Sequence, residues 1–157
     1  MTPATLCEDG SVPQIVPTSP AGVAAEIVTM LGALPGRARL VIDGAPASDP
    51  GPWADQVVAA LAPRPAFHLR SEHYWQPASL RFEAGRQDPD AWLERWLDVG
   101  ALHREALDTF LDDGRVLPGL RDPATDRSMR ATPLDMPPTG VLVLSGSALL
   151  GRGLPVD

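Results

Sequence analysis

The 157-residue chain carries 20 acidic against 13 basic side chains, a formal net charge of −7, and every basic residue is arginine. That length suits one domain able to bury its own core, and 44% hydrophobic with 21% charged residues is ordinary for a globular protein. An acidic chain without a basic stripe argues against a nucleic-acid binder, and no apolar run reaches the ~20 residues of a membrane span.

The lone Cys7 leaves no internal disulfide and fits a reducing compartment. The acidic N-terminus, with Glu8 and Asp9, has no basic-then-apolar leader. The expected location is therefore cytoplasmic. Eighteen prolines and 14 glycines predict short, sharply ended elements.

Residues 1–19, Pro- and Thr-rich without periodicity, read as a leader, and residues 20–157 as a single domain. From Pro20, apolar residues at Val23, Ile27, Met30, Leu31 and Leu34 have helical spacing, closed by Pro35-Gly36. RARLVIDG predicts a buried strand running into a turn at Asp43-Gly44, and the Pro-rich residues 45–52 form that turn. WADQVVAALA (53–62) predicts a helix with Pro52 in its first turn. PAFHLR (65–70) predicts a second strand, and SEHYW its exit loop.

Residues 88–111 carry two helical stretches split near Val99-Gly100, with Asp88 as N-cap and Pro89 at the first helical position. Residues 112–139 predict a long polar loop. The run Val141–Leu144 is the strongest strand and reads as buried on both faces. A right-handed crossover places it beside the first strand, and its other side is expected to lack a partner. Self-association, or cover from residues 146–157 or the leader, follows as the expectation. Helices alternating with strands imply a short parallel sheet with helices on its faces.

Three segments share a wider pattern: RLVIDGAPASDPG (39–51), the span from Leu69 to Asp108 that contains SEHYWQPASLRF and DPDAWLERW, and LRDPATDR followed by VLVLSGSALLGRGLPVD. Together they resemble the bacterial uridine kinase-like proteins of the P-loop nucleoside kinase family. The resemblance implies a P-loop-kinase-like three-layer α/β sandwich whose later strands and lid are missing here. It also implies phosphoryl transfer from a nucleoside triphosphate to a nucleoside or other ribosyl hydroxyl, with Mg-ATP as donor. Glu72 stands where that family has its catalytic Asp. Tyr74, Trp75, Arg81 and Arg86 stand in the acceptor region as substrate-binding candidates.

The phosphate loop departs from the family's pattern. The working motif, G-x-x-x-x-G-K-[ST], wraps phosphates in backbone N–H groups and adds a lysine and a Mg²⁺-binding hydroxyl. The candidate loop comprises Asp43, Gly44, Ser48, Asp49, Pro50 and Gly51, in which Gly44 alone matches. Asp49 replaces the second glycine, Pro50 the lysine and Gly51 the hydroxyl residue. Ser145 replaces the acid that ends the family's Walker B strand.

Two function classes remain: an impaired nucleoside kinase-like transferase, or a non-catalytic nucleoside-binding or assembly module on the same fold. A homo-oligomer, or a heteromer with an intact relative supplying lid and lysine, is the expected partnership. His68, His73, His103 and Cys7 show no metal-ligand spacing, so no resident metal is expected. His68 reads as structural. Ser145-Gly146-Ser147 lacks the nucleophile-elbow pattern. Trp92 and Trp96, one helical turn apart, read as core or interface.

Overall fold

A computed structural model describes residues 15–157, so most of the leader lies outside the described residues. Helix α1 (Pro20–Ala33) starts at Ser19, whose hydroxyl accepts the Gly22 N–H at 3.1 Å, with Pro20 at the first helical position. Its inward stripe is Ala24, Ile27, Val28 and Leu31, whereas Met30 is 65% exposed. Strand β1 (Ala38–Asp43) follows.

Helix α2 (Pro50–Ala60) begins at Pro50, earlier than the sequence suggests. A 3-10 turn at Pro46–Ser48 and a left-handed Asp49 (φ 42°) turn the chain sharply enough for Pro50 to open the helix. Strand β2 (Ala66–Arg70) and a 3-10 turn at Ser71–Tyr74 lead to the short helix α3 (Ala78–Arg81) and to α4 (Pro89–Arg95). Asp88 caps α4, its carboxylate accepting the Ala91 N–H at 2.7 Å.

The helical break falls at Trp96–Asp98, ahead of the expected Val99-Gly100. Asp98 starts the next helix by accepting the Ala101 N–H at 2.9 Å. From there α5 (Val99–Leu102), a π-type turn (His103–Leu107) and α6 (Asp108–Asp113) run on continuously, closed by left-handed Gly114. The long polar stretch is not structureless. Strand β3 (Arg115–Val116) pairs antiparallel with β4 (Leu134–Asp135), and Arg121 bridges to Ser128.

Strand β5 (Val141–Gly146) is central, in the order β1-β5-β2, with parallel pairing on both sides. Its expected open edge is therefore a correction: β2 fills that side, with Phe67 opposite Leu142 and Leu69 opposite Leu144. The apolar run is buried throughout because it is laddered on both edges and covered on both faces. The sheet's free edge beside the tail is β1's. There the tail meets it: Arg39 N–H donates to the Asp157 carboxylate at 2.9 Å, and Asp157 N–H to the Arg39 carbonyl at 3.2 Å.

Alternation along β5 splits the core. Val141 and Val143 pack with Leu31, Ala54, Val57 and Leu61 under α1 and α2. Leu142 and Leu144 pack with Leu102, Leu107 and Phe110 on the other face. Each fully buried side chain of this kind contributes about 1.5–3 kcal/mol. The result is three layers, with the C-terminal ends of all three strands at one rim. Ligands of open parallel sheets bind at such rims.

Candidate functional site

The loop between β1 and α2 folds onto itself. Gly44 N–H donates to Gly146 O at 3.1 Å, Ser48 N–H to Ala45 O at 2.8 Å, and Asp49 N–H to Pro46 O at 3.3 Å. The Ser48 hydroxyl also donates to Ala45 O, at 2.7 Å. Pro46, Pro50 and Pro52 have no N–H to offer. Prolines and internal bonds together remove most of the donors that a phosphate cradle would need.

Arg70, the last residue of β2, reaches the first turn of α2. An ideal Cβ placed on Gly51 would stand 2.6 Å from Arg70 Nη1, so the guanidinium fills the space of a side chain at that position. Its Nη2 donates to Asp55 Oδ2 at 3.0 Å. The other Asp55 oxygen lies 2.6 Å from His68 Nδ1, and His68 Nε2 lies 2.7 Å from Ser145 Oγ. Register explains the meeting: His68 pairs with Val143 and Arg70 with Ser145, so alternation sends these side chains to the α2 face.

An Asp–His–Ser line has the connectivity of a nucleophilic triad. Here Ser145 is 2% exposed and does not line the neighbouring cavity, so no substrate carbonyl reaches it. The line is a polar tie between α2 and the sheet, buried at His68 and Ser145 and open to solvent at Asp55.

These residues do not fit a Mg²⁺-nucleotide. The Ser145 hydroxyl is held by His68, and Gly51 offers no side-chain ligand atom. Among the described residues no group of three or more His, Cys, Asp or Glu is placed to hold a metal by protein ligands alone. Asp43, at the end of β1, accepts the Leu150 N–H through Oδ2 at 3.1 Å. Its buried Oδ1 has no partner among the described residues.

The acceptor candidates separate. Glu72 and Trp75 line a cavity of about 290 Å³. Tyr74 turns away, fully buried, and donates its hydroxyl to Leu117 O at 2.5 Å. Burial, with the Glu105 charge adding to it, drives the phenol well above its ordinary pKa. Arg81 is 4% exposed and donates to Gln76 O at 2.8 Å and to Asp126 at 3.4 Å. Its Cζ lies 5.1 Å from the ring centroids of both Trp75 and Trp96. Arg86 sits exposed over Phe82 at 4.6 Å. Of the five candidates, Glu72 and Trp75 thus line this cavity; three residues per turn put Ser71 and Tyr74 on the buried face of the 3-10 turn and leave Glu72 on another.

The remaining walls come from residues with other expected roles. Trp92 and Trp96 face the cavity from α4 and its end, and Pro46, Asp49 and Pro50 face it from the loop. Ser147 and Arg152 complete it from beyond β5, where Arg152 Nε donates to Ala148 O at 2.6 Å. Trp96 Nε1 donates to Arg81 O at 3.1 Å, and Trp75 meets Trp96 edge-on at 5.2 Å. The indole spacing in the sequence carried the signal for Trp92 and Trp96. Asp55 and Arg152 had none.

No protein-family model and no curated protein matches this chain. Its structure is similar to one solved as a possible uridine kinase from Bacillus stearothermophilus. The TM-score is 0.71 over 83% of this chain and 73% of that one, at 16% identity. At that identity the likeness is one of architecture, and the chain has a P-loop-kinase-like α/β fold.

Proposed function

We propose that this chain is a small-molecule-binding module on a kinase-like fold, using the acceptor-side cavity while its donor site is closed to Mg-ATP. The observation that carries this is the position of Asp49. The loop expected to surround phosphate presents a carboxylate to the same cavity as Glu72. Two carboxylates facing a triphosphate cost roughly 1 kcal/mol each in water at contact range, and more where water is excluded.

The opposite wall supports binding. Trp75, Trp92 and Trp96 offer flat apolar surface, and Glu72 offers an acceptor for a hydroxyl or amine. A ring-bearing ligand of nucleoside size suits that pairing, and 290 Å³ is near the lower end for small-molecule sites. Glu72 then anchors the ligand and takes no proton in catalysis.

Intrinsic fluorescence tests this reading, since three of the four tryptophans line the cavity. Uridine or cytidine should change the emission in a saturable way, unaltered by millimolar Mg-ATP. Labelled phosphate should not pass from ATP to either nucleoside. Phosphoryl transfer above background, lost in Glu72→Gln, would restore the transferase reading.

A further inference from the structure

The geometry points to a cationic ligand: an amine- or ammonium-bearing ring compound held between the indoles and the carboxylates of Asp49 and Glu72, which line the same cavity. This deepens the binding reading above and rests on it.

The charge of the cavity is the first argument. Asp49 and Glu72 line it with Arg152 as the one basic side chain. Among the described residues neither carboxylate forms an ion pair, while Asp55, Asp126 and Asp157 all do. Nor does either side chain accept a hydrogen bond from the described protein groups, a state they share with solvated carboxylates such as Glu83 and Glu94. What sets Asp49 and Glu72 apart is that both line one cavity with indoles, where a ligand that brings donors and positive charge would be matched.

The aromatic wall is the second. Indole faces attract cations more strongly than other aromatic rings do. Trp75 and Trp96 already take a cation, since the Arg81 guanidinium lies over both. Trp92 has none over its ring among the described residues and also faces the cavity. Trp92 therefore supplies the free π-face, and Asp49 and Glu72 the countercharge. The whole chain, at −7, adds a long-range attraction for cations.

Matched nucleosides separate this inference from the reading beneath it. 3-Methylcytidine is positively charged at neutral pH, and 3-methyluridine is its neutral counterpart of nearly the same shape. Phenethylammonium and 2-phenylethanol form a second pair without the ribose. Affinities come from calorimetry at low and high salt.

The expected result is at least tenfold tighter binding of the cation in one or both pairs, weakening with salt. Asp49→Asn combined with Glu72→Gln should erase that preference, weakening the cation in each pair more than its neutral partner. Both residues are at least partly exposed, so the double variant should fold, as circular dichroism checks. Trp92→Leu should weaken the cation more than the neutral partner. Equal affinities within both pairs, or a preference that survives the double variant, overturn the cationic ligand and leave the binding module standing. No binding of any of the four compounds overturns both.

Discussion

The Arg70 guanidinium packs against Gly51 so closely that an ideal Cβ there would stand 2.6 Å from Nη1. The contact links the end of β2 to the start of α2, where the resembling kinases place a hydroxyl residue. Arg70 is held there by Asp55 at 3.0 Å, yet its side chain is 42% exposed and free to move aside. Gly51→Ser is therefore expected to fold, with stability changed by less than about 1 kcal/mol as an exposed ion pair is disturbed. Millimolar Mg-ATP should still not raise its melting temperature. A rise of several degrees would mean that the loop was one residue away from a nucleotide site.

His68 bonds to both Asp55 and Ser145. His68→Ala would leave the 2%-exposed Ser145 hydroxyl without its partner. The expected loss is about 1–3 kcal/mol in urea denaturation. Asp55→Asn, at a side chain 56% exposed, should cost far less. Because Ser145 is sealed from the cavity, a fluorophosphonate should not label it. Stoichiometric labelling would turn the tie into a nucleophile.

Arg81, a substrate-binding candidate in the sequence, stands at the centre of an aromatic cluster, 4.9 Å from the Phe82 centroid and 5.1 Å from those of Trp75 and Trp96. Its planar fork also reaches Gln76 O and Asp126. Arg81→Met should destabilise by about 1–3 kcal/mol, since Gln76 O and Asp126 lose the donor that Arg81 gives them. Arg81→Lys should rescue little, because a compact ammonium cannot stack and fork together. The near-UV circular dichroism of the tryptophans reports the change directly.

The tail contact should depend on acid. Hydrogen bonds from Arg39, beyond the opposing effect of burial, hold the Asp157 carboxyl below its ordinary value of 3.8. A depressed carboxyl stabilises the folded state above that ordinary value, and the contribution fades as pH falls through the lowered one. Hydrogen exchange at the Arg39 amide should therefore be protected at neutral pH and lose protection in acid before the core does. Asp157→Asn should expose that amide at all pH values. Protection unchanged in Asp157→Asn would place the tail's hold elsewhere.

The layered fold was legible because β5 is a continuous apolar run and α1 and α2 carry helical periodicity, signals that survive without tertiary context. The pairing of β5 with β1 was legible as well, but the full strand order was not. Whether Val141–Gly146 lies at an edge or in the centre depends on which side β2 joins, and local residues do not encode that. Asp88 and Pro89 marked a helix start correctly, since capping is chemistry within three residues. The site was legible only in part. Glu72 and Trp75 were found by their place in a segment, but Tyr74 sits between them in sequence and faces the core. Asp55, His68 and Ser145 meet across 90 residues of chain, and only strand register brings them together.

Titration calorimetry of the chain with Mg-ATP, and separately with uridine, cytidine and 3-methylcytidine, tests the central claim most directly. The account predicts no saturable heat with Mg-ATP. It predicts saturable binding of at least one nucleoside, strongly weakened in Trp92→Leu. Saturable Mg-ATP binding that Asp49→Gly strengthens, together with silent nucleosides, would contradict it.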